Sequence, residues 1–316
     1  MSDRKTKLVM AGLVRGLIEP RLPDWVEAHW YMSKDEGLAL APHAEIGWFD
    51  MYDKADMAAI IGAATNMKWL NSIYAGVDGM PLAQLKAQGC VVTNGAGINA
   101  ITIAEYVVMG MLTVAKGYRE VVRAADRHEW LQDSPGKVEL FGSKALILGY
   151  GAIGSLIEER LKAFAVDVTV VRRTPAPGVL TPDQWRDRLS EFDWVILAVP
   201  ATAETDCMIG AAELSAMKPS AVLINIARGS VVDQDALVTA LQQKHIAAAF
   251  LDVTMPEPLP ADHPLWSLDN AHITMHLSGR AQDKMFVRSA ERFFENLERY
   301  RNGEPLSPLV NLDLGY

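Results

Sequence analysis

The alternation of apolar and polar stretches along the chain predicts two successive blocks in which strands alternate with helices. The strands of the first block are short apolar runs bounded by turn residues, at 7–12, 46–49, 69–74 and 90–93. Helices are predicted between them, near 23–32 (bounded by Pro23), 54–64 and 82–87. Because strands that alternate with helices form parallel sheets, residues 1 to about 98 are predicted to form one α/β unit.

A glycine-rich break at 94–97 separates the two blocks. A strongly apolar helix is predicted after it, capped by Asn99 and ending near Lys116, and we expect it to be buried between the two lobes or between subunits. The next segment, 118–137, is polar apart from Trp130. It is interpreted either as an arm that packs on a partner chain or as an ordinary surface helix.

The second block contains six apolar runs that are expected to form buried strands, at 145–148, 166–171, 194–199, 221–227, 247–253 and 271–275. Six strands separated by helical segments fit a doubly wound sheet. An amphipathic helix predicted at 281–301 is expected to cross back to the first lobe, where the tail at 305–310 also packs.

Composition narrows the class of protein. A chain of 316 residues with 50% hydrophobic and 22% charged residues is long enough for two globular domains. The net charge of −9, without a basic stripe, argues against binding of nucleic acid or of an anionic membrane. Cys90 and Cys207 have neither a disulfide nor a metal-site spacing, so no metal is expected. The apolar run near the N-terminus is too short for a signal or membrane span, and the expected location is the cytoplasm.

A glycine turn links the first strand of the second block to the helix after it. Gly149 permits a tight turn, Gly151 lets the backbone approach a pyrophosphate, and Gly154 allows the helix to lie close to its strand. The free N–H groups and the dipole at the helix N-terminus favour the bound anion. Because a strand precedes the motif and a helix follows it, we predict a dinucleotide site rather than a plain tight turn.

The end of the next strand indicates which dinucleotide is bound. An acid at this position would accept hydrogen bonds from the adenine ribose and repel a 2′-phosphate. The strand instead ends in Arg172, Arg173 and Thr174. Since guanidinium groups bind phosphate through paired, charge-assisted hydrogen bonds, NADP(H) is predicted in preference to NAD(H), and a solvated surface pair is the alternative.

Three further strand ends of the second block carry an ionisable residue. These are Arg228 after the fourth strand, Glu257 in a proline-bounded loop after the fifth, and His276 after the last. The carboxyl ends of parallel strands line the ligand crevice of such a sheet. Reduction of a 2-keto acid needs a proton donor for the carbonyl oxygen, a role that suits His276. Glu257 would favour and orient the imidazolium, and Arg228 would hold the substrate carboxylate. Each residue alone has an ordinary structural explanation, so their joint placement carries the prediction.

At this point the chain resembles a known family, the D-isomer-specific 2-hydroxyacid dehydrogenases. The resemblance spans nearly the whole chain and rests on an ordered set of segments: 74–78, 149–154, 225–233, 252–260, 264–266 and His276. It implies a two-lobed α/β fold. Residues 99–284 would form a doubly wound Rossmann domain, and residues 1–98 with 285–316 a discontinuous, flavodoxin-like substrate domain. Members are usually homodimers.

The resemblance also implies roles for individual residues. Arg228 is expected to anchor the substrate, Glu257 to partner His276, and His276 to donate and accept the proton. The backbone N–H groups of Ala75 and Gly76 are expected to hold the carboxylate, and Asp252 to lie near the nicotinamide. The remaining residues assigned to the cofactor are Tyr150, Ala152, Ile153, Val199, Pro200, Thr205, Ala227, Ser278 and Gly279, and Arg228 and His276 are assigned to it as well. Tyr74 and His276 are also expected to contact the substrate.

Within the family, residues 172–174 and the last two residues, Gly315 and Tyr316, look most like the NADPH-dependent glyoxylate/hydroxypyruvate reductases of bacteria. Trp48 is similar to a tryptophan that lines the substrate pocket in that subgroup, with a core position as the alternative. Two departures are visible. The usual proline before the histidine is Met275, and Tyr74 stands where a small residue is common.

Other functions remain open at this point. Formate dehydrogenases of this fold carry glutamine where Glu257 stands, which argues against that activity. Oxidation of phosphite, or of a 2-hydroxy acid of a different kind, is compatible with the same three side chains. A non-catalytic NAD(P)-sensing regulator on this scaffold is the alternative from a different class.

Overall fold

The computed structural model describes residues 4–51, 53–77, 79–280 and 282–315, with no side-chain description for residues 282 and 283. Asp78 and Tyr316, which contributed to the resemblance, lie outside the described residues. The chain divides into two compact units, Met1–Asn99 with Ala281–Tyr316 and Ala100–Arg280. We call them the first and the second unit. The predicted divisions lay after residues 98 and 284.

The first unit contains a five-stranded sheet in the order β2-β1-β3-β4-β5. Its strand pairs are all parallel. The strands are β1 (Thr6–Ala11), β2 (Val26–Tyr31), β3 (Ile46–Trp48), β4 (Trp69–Asn71) and β5 (Val91–Thr93). The helices are α1 (Arg15–Ile18), α2 (Lys34–Leu40), α3 (Lys54–Ala63), α4 (Leu82–Ala87) and, near the end of the chain, α10 (Gln282–Asn302).

The predicted helix at 23–32 is wrong, because Val26–Tyr31 is a strand. Pro23 suggested a helix start, but the segment is rich in residues that favour strands, and Val26–Tyr31 pair with β1 along their whole length. The helix lies further on as α2, where the Ser33 hydroxyl accepts a hydrogen bond from the Glu36 N–H at 3.3 Å. This N-cap satisfies one of the unpaired donors of the first helical turn.

Helix α10 packs on the sheet of the first unit although it is the last helix of the chain. The Phe293 ring stacks on Trp69 with a centroid distance of 5.3 Å. Arg292 donates to the carbonyl of Ala96 at 2.6 Å, and Arg288 donates to that of Ile98 at 3.3 Å. These contacts tie the helix to the glycine-rich segment where the unit's first portion ends.

The second unit contains a six-stranded parallel sheet in the order β11-β10-β9-β8-β6-β7. The strands are β6 (Lys144–Leu148), β7 (Asp167–Val171), β8 (Trp194–Leu197), β9 (Val222–Asn225), β10 (Ala248–Leu251) and β11 (Ala271–Ile273). The helices are α5 (Ala100–Lys116), α6 (Tyr118–Asp126), α7 (Ala152–Ala163), α8 (Ala211–Ala216) and α9 (Gln234–Gln242). The strand order reverses at β6, which confirms the doubly wound sheet and marks a switch point where ligands bind.

Helix α5 is buried on one face only in this chain. Ala104, Val107 and Met111 lie in the core of the second unit, whereas Met109 is 43% exposed. The predicted cap by Asn99 is wrong, because its Oδ1 atom is buried without a hydrogen-bond partner among the described residues. In the described part of the chain no single helix is long and apolar enough to cross a bilayer, although α5 and α6, bent by 71°, pass that test as a pair.

Candidate functional site

The glycine turn has the geometry of a dinucleotide site. Gly149 has a φ of +102°, and a Cβ there would lie 2.5 Å from the carbonyl oxygen of Ala198. A Cβ on Gly154 would collide with the Gly149 backbone, so only glycine lets α7 start so close to the turn. Gly151 has open space where a Cβ would stand, which leaves its backbone accessible. The turn and the N-terminus of α7, including Ala152 and Ile153, therefore fit a pyrophosphate.

The predicted catalytic residues follow three neighbouring strands, because β9, β10 and β11 are adjacent in the sheet. Arg228 follows β9 in a turn that buried Asn225 holds, with Asn225 Nδ2 donating to the Arg228 carbonyl at 2.9 Å and Asn225 Oδ1 accepting from the Ala227 N–H at 3.0 Å. A Cβ on Gly229 would lie 2.7 Å from the Met255 nitrogen. The turn after β9 thus packs directly against the loop after β10.

Glu257 is held in the loop after β10. Its Oε1 accepts from the Thr254 N–H at 3.2 Å. The side chain of Gln234, the first residue of α9, bonds both backbone groups of Met255: its Oε1 accepts from the N–H at 2.9 Å and its Nε2 donates to the carbonyl at 2.5 Å. Sequence reasoning missed Gln234, since no local pattern sets it apart from other polar residues at a helix start.

His276 and Glu257 form the hydrogen-bonded pair that the sequence predicted. His276 Nδ1 lies 2.8 Å from Glu257 Oε2, and the two side chains are 47% and 38% exposed. Since one ring nitrogen is taken by the carboxylate, the Nε2 atom is the one that can exchange a proton with a ligand. The pair is therefore oriented for acid–base chemistry while it remains within reach of solvent.

The loop that carries His276 is organised around Asp252, which is 2% exposed. The Asp252 carboxylate accepts from the Thr274 hydroxyl at 2.7 Å, the Leu277 N–H at 3.0 Å and the Ser278 hydroxyl at 2.5 Å. The His276 N–H donates to the Asp252 carbonyl at 2.6 Å. Asp252 and Ser278, both predicted to contact the cofactor, are thus buried against each other and position the histidine.

The backbone of the histidine loop differs where Met275 replaces the usual proline. Met275 and His276 both have left-handed backbone angles, with φ values of 53° and 56°. A proline cannot adopt this conformation because its ring holds φ near −65°. The loop of this chain thus follows a path that the usual proline would forbid.

The predicted phosphate-binding residues lie beyond β7, next to the glycine strand in the sheet. Arg173 Nη2 lies 2.9 Å from Glu204 Oε2, and the two side chains are 57% and 76% exposed. Glu204 belongs to the segment after β8 that also contains Val199, Pro200 and Thr205, in which the Thr205 hydroxyl donates to the Pro200 carbonyl at 2.7 Å. A carboxylate that no sequence pattern indicated therefore lies beside Arg173.

In the first unit, the loop after β4 presents two backbone donors. Among the described residues, none accepts a hydrogen bond from the N–H groups of Ala75 or Gly76. The Tyr74 hydroxyl donates to the Met51 carbonyl at 3.0 Å, and the Asn94 side chain donates to the Ala75 carbonyl at 2.6 Å. Neighbouring backbone N–H groups that no described residue engages are donors an anion can use.

Trp48 lies in the core of the first unit. This is the alternative that the sequence left open beside a pocket-lining role. Trp48 is 1% exposed and packs against Phe293 with a ring-centroid distance of 5.2 Å. Its indole N–H donates to the buried carboxylate of Asp50 at 2.5 Å. Asp50 was not predicted, although its position just beyond a buried strand is the same signal that singled out Arg228 and His276.

Residues 108–278, more than half of the chain, match the family described as "D-isomer specific 2-hydroxyacid dehydrogenase, NAD binding domain". The chain belongs to this family. Its members are oxidoreductases that bind a nucleotide cofactor and a 2-keto or 2-hydroxy acid.

Curated relatives carry more than one activity. A glyoxylate reductase from Thermofilum pendens is 34% identical over 274 residues, which cover 83% of this chain and 80% of the relative. A D-3-phosphoglycerate dehydrogenase from Archaeoglobus fulgidus is 30% identical over 294 residues, 91% of this chain and 55% of the relative. The chain thus spans about half the length of that phosphoglycerate dehydrogenase.

Solved structures agree on the fold and differ in cofactor. A D-isomer specific 2-hydroxyacid dehydrogenase family protein from Aeromonas salmonicida has a TM-score of 0.85 at 28% identity, covering 98% of this chain and 100% of that one. An NADPH-dependent glyoxylate/hydroxypyruvate reductase from Sinorhizobium meliloti, solved with NADP and malonate, has a TM-score of 0.78 at 25% identity, covering 98% of each chain. An NAD-dependent formate dehydrogenase from Staphylococcus aureus, solved with NAD, has a TM-score of 0.73 at 26% identity, covering 96% and 99%.

Proposed function

We propose that this chain reduces a small 2-keto acid of the glyoxylate or hydroxypyruvate type to the D-2-hydroxy acid, with NADPH preferred and NADH possible. The observation that carries the proposal is the pair of His276 Nδ1 and Glu257 Oε2 at 2.8 Å. This pair lies at a strand end next to the turn of Arg228. The dinucleotide, when bound, supplies the hydride that the carbonyl carbon accepts.

His276 supplies the proton in this proposal. As hydride reaches the carbonyl carbon, negative charge develops on its oxygen, and the imidazolium Nε2–H donates to that oxygen. Glu257 accepts the hydrogen bond from Nδ1–H, which fixes the plane of the ring and stabilises its charged form before the transfer. In the reverse direction the neutral ring accepts the proton from the hydroxyl group.

Substrate binding uses two kinds of donor. The Arg228 guanidinium binds the substrate carboxylate and polarises the keto oxygen through charge-assisted hydrogen bonds. The N–H groups of Ala75 and Gly76 bind the carboxylate as well. Because these donors are backbone groups on a held loop, they need little reorganisation when the substrate binds.

Cofactor binding rests on the glycine turn and on Arg172, Arg173 and Thr174. The open space at Gly151 supports the pyrophosphate position. Two guanidinium groups and a hydroxyl at the adjacent strand end support a 2′-phosphate and hence NADPH. The structure solved from Sinorhizobium meliloti with NADP is consistent with this choice.

Steady-state oxidation of NADPH with a panel of 2-keto acids tests the proposal. We expect turnover of glyoxylate and hydroxypyruvate, with a higher kcat/KM for NADPH than for NADH. The opposite direction is tested with oxidised cofactor, NAD or NADP, and 3-phosphoglycerate, phosphite or formate as the electron donor. 3-Phosphoglycerate is included because phosphoglycerate dehydrogenases are among the relatives. A protein that binds NADPH but turns over none of these compounds would instead be a regulator on this scaffold.

We further propose that the chain forms a homodimer through α5, α6 and the segment that follows them. Large apolar side chains of this region are strongly exposed, among them Trp130 at 88%, Phe141 at 76% and Tyr118 at 59%. Val121 of α6 and Trp130 of the segment after α6 line a groove of about 700 Å³. Such apolar exposure on a single chain is typical of a surface covered by another copy.

Trp130→Glu is expected to shift the protein from dimer to monomer. A charge at the centre of an apolar contact removes a residue type that dominates interface energies, so the dimer dissociation constant should rise by at least about 30-fold. Sedimentation velocity over a range of concentrations measures the effect. Met32→Glu is the matched control, since Met32 is 80% exposed in the first unit. A wild-type protein that sediments as a monomer at all concentrations would contradict the dimer.

A further inference from the structure

Asp50 is a buried carboxylate just beyond β3, with 4% of its surface exposed. Its Oδ2 accepts from the Trp48 indole N–H and from the Ile73 backbone N–H, each at 2.5 Å. Its Oδ1 accepts from the Ser72 hydroxyl at 2.6 Å. A buried charge is costly unless hydrogen bonds surround it, so this arrangement calls for an explanation beyond packing.

The hydrogen bonds of Asp50 continue into the loop after β4. An ionised carboxylate can only accept, so the Ser72 hydroxyl must donate to it. The oxygen of Ser72 is then free to accept the Tyr74 N–H, which lies at 3.1 Å. The backbone of Ile73 and Tyr74 is thus held by Asp50 directly and through Ser72.

The opposite side of the loop is held through its carbonyl groups. Gly95 N–H donates to the Tyr74 carbonyl at 2.8 Å, and the Asn94 side chain donates to the Ala75 carbonyl at 2.6 Å. Gly95 also has no room for a side chain, because a Cβ would collide with the Ile73 carbonyl. The next two N–H groups of the loop, at Ala75 and Gly76, have no acceptor among the described residues and are available to a ligand.

We propose that Asp50, as an ionised carboxylate, is a positioning residue that aims the Ala75 and Gly76 N–H groups at the carboxylate of the keto-acid substrate. This inference rests on the proposed function and extends it to a residue that does not touch the substrate. A proton on Asp50 would have to sit on Oδ1, because Oδ2 faces two N–H donors, those of Trp48 and Ile73. The protonated Oδ1 would then donate to the Ser72 hydroxyl oxygen. The Asp50–Ser72 hydrogen bond would then reverse, and the two bonds from Trp48 and Ile73 would lose their charge assistance.

The protonation state of Asp50 changes within a measurable range of pH. Burial raises its pKa from 3.8 to about 6, against the lowering effect of the hydrogen bonds from Ile73, Ser72 and Trp48. Among the described residues, the titratable group that faces it is Tyr31 of β2, whose pKa is raised by burial and by the Asp50 charge. The loop is therefore held above about pH 6 and loosened below it.

The same shift has a consequence for stability. A carboxyl whose pKa is higher in the folded chain favours folding when it is protonated, below pH 3.8, and that contribution is lost as the pH rises through about 6. At neutral pH the ionised Asp50 thus lowers the stability of the folded chain. A neutral side chain of the same shape should remove that cost.

The test compares Asp50→Asn with the wild-type protein between about pH 5 and about pH 8. In the wild type we expect KM for glyoxylate to rise as the pH falls through about 6. In the variant we expect KM to be raised about tenfold at neutral pH, as weakening of a charged hydrogen bond predicts, with the pH step lost and kcat little changed. The variant's unfolding temperature at neutral pH should equal or exceed that of the wild type.

Two further variants separate positioning from folding. Ser72→Ala removes the link to Tyr74 and should raise KM in the same direction. Asp53→Asn is the matched control, because Asp53 is an exposed N-cap that accepts from Ala55 N–H at 2.8 Å and Asp56 N–H at 2.9 Å. It should leave KM unchanged and change the unfolding temperature little, because asparagine caps a helix about as well as aspartate.

The outcomes distinguish this inference from the function on which it rests. A wild type without turnover of any keto acid would overturn both. Normal wild-type turnover with the same KM and pH profile in Asp50→Asn would overturn the role of Asp50 alone. A raised KM that keeps the pH step and comes with a large fall in unfolding temperature would identify a general structural effect and would also overturn it.

Discussion

Replacing His276 with alanine is expected to lower kcat for keto-acid reduction by roughly 10²–10⁴-fold, the range that general acid catalysis contributes. The imidazole, held 2.8 Å from Glu257, is the proton donor of the proposed reaction. NADPH binding should be nearly unchanged, because the glycine turn and the arginines follow other strands of the sheet. Steady-state kinetics and a fluorescence titration with NADPH measure the two quantities separately.

His245→Ala is the matched control for this prediction. His245 is exposed in the turn before β10, at the amino ends of the parallel strands, whereas His276 follows the carboxyl end of β11. Its loss should therefore leave kcat unchanged. Glu257→Gln should give an intermediate loss, since an amide can still orient the ring but no longer stabilises its charge. A His276→Ala protein as active as the wild type would exclude the histidine as proton donor.

Replacing Arg172 and Arg173 together with glutamine is expected to weaken NADPH binding by about 10²-fold, with a much smaller effect on NADH. The charge-assisted hydrogen bonds of a guanidinium with a phosphate are worth about 1.5–3 kcal/mol each, and NADH lacks the 2′-phosphate. Dissociation constants of both dinucleotides, measured by titration without substrate, give the ratio. An unchanged ratio would show that the two arginines are a solvated surface pair.

Replacing Glu204 should change NADPH affinity in the opposite direction. Its carboxylate lies 2.9 Å from Arg173 and would repel a 2′-phosphate bound there. Glu204→Gln is therefore expected to strengthen NADPH binding severalfold and to leave NADH unaffected. Arg188→Gln is the control for the arginine substitutions, because Arg188 also forms an exposed ion pair, with Glu191 at 2.8 Å.

The fold was predictable where local pattern and environment agree. The buried strands of the second unit are short apolar runs bounded by turn residues, and each of the six lies where such a run was found. The prediction for the segment 23–32 was wrong because its proline and its mixture of polar and apolar residues are compatible with either a helix or an edge strand. Pairing with β1, which involves residues far away in sequence, decided for the strand.

The candidate functional residues were predictable where they follow a buried strand and carry unusual chemistry. Glu257 and His276 meet this condition, and the structure places them in contact. Gln234 and Glu204 do not meet it, because ordinary polar residues on a helix start or a loop carry no local signal. Their roles depend on which loop lies against them.

The sequence by itself determined the doubly wound class of the second unit, the glycine turn and the strand ends that carry the proposed acid–base pair. These follow from glycine spacing and from runs of apolar residues, which act over a few residues of chain. Only the tertiary structure decided that Trp48 is a core residue, that Asp252 and Ser278 hold the histidine loop, and that Asp50 holds the loop before Ala75. Those assignments depend on packing and hydrogen bonds between residues that are distant along the chain, such as Asp50 with Ile73 and Asp252 with Ser278.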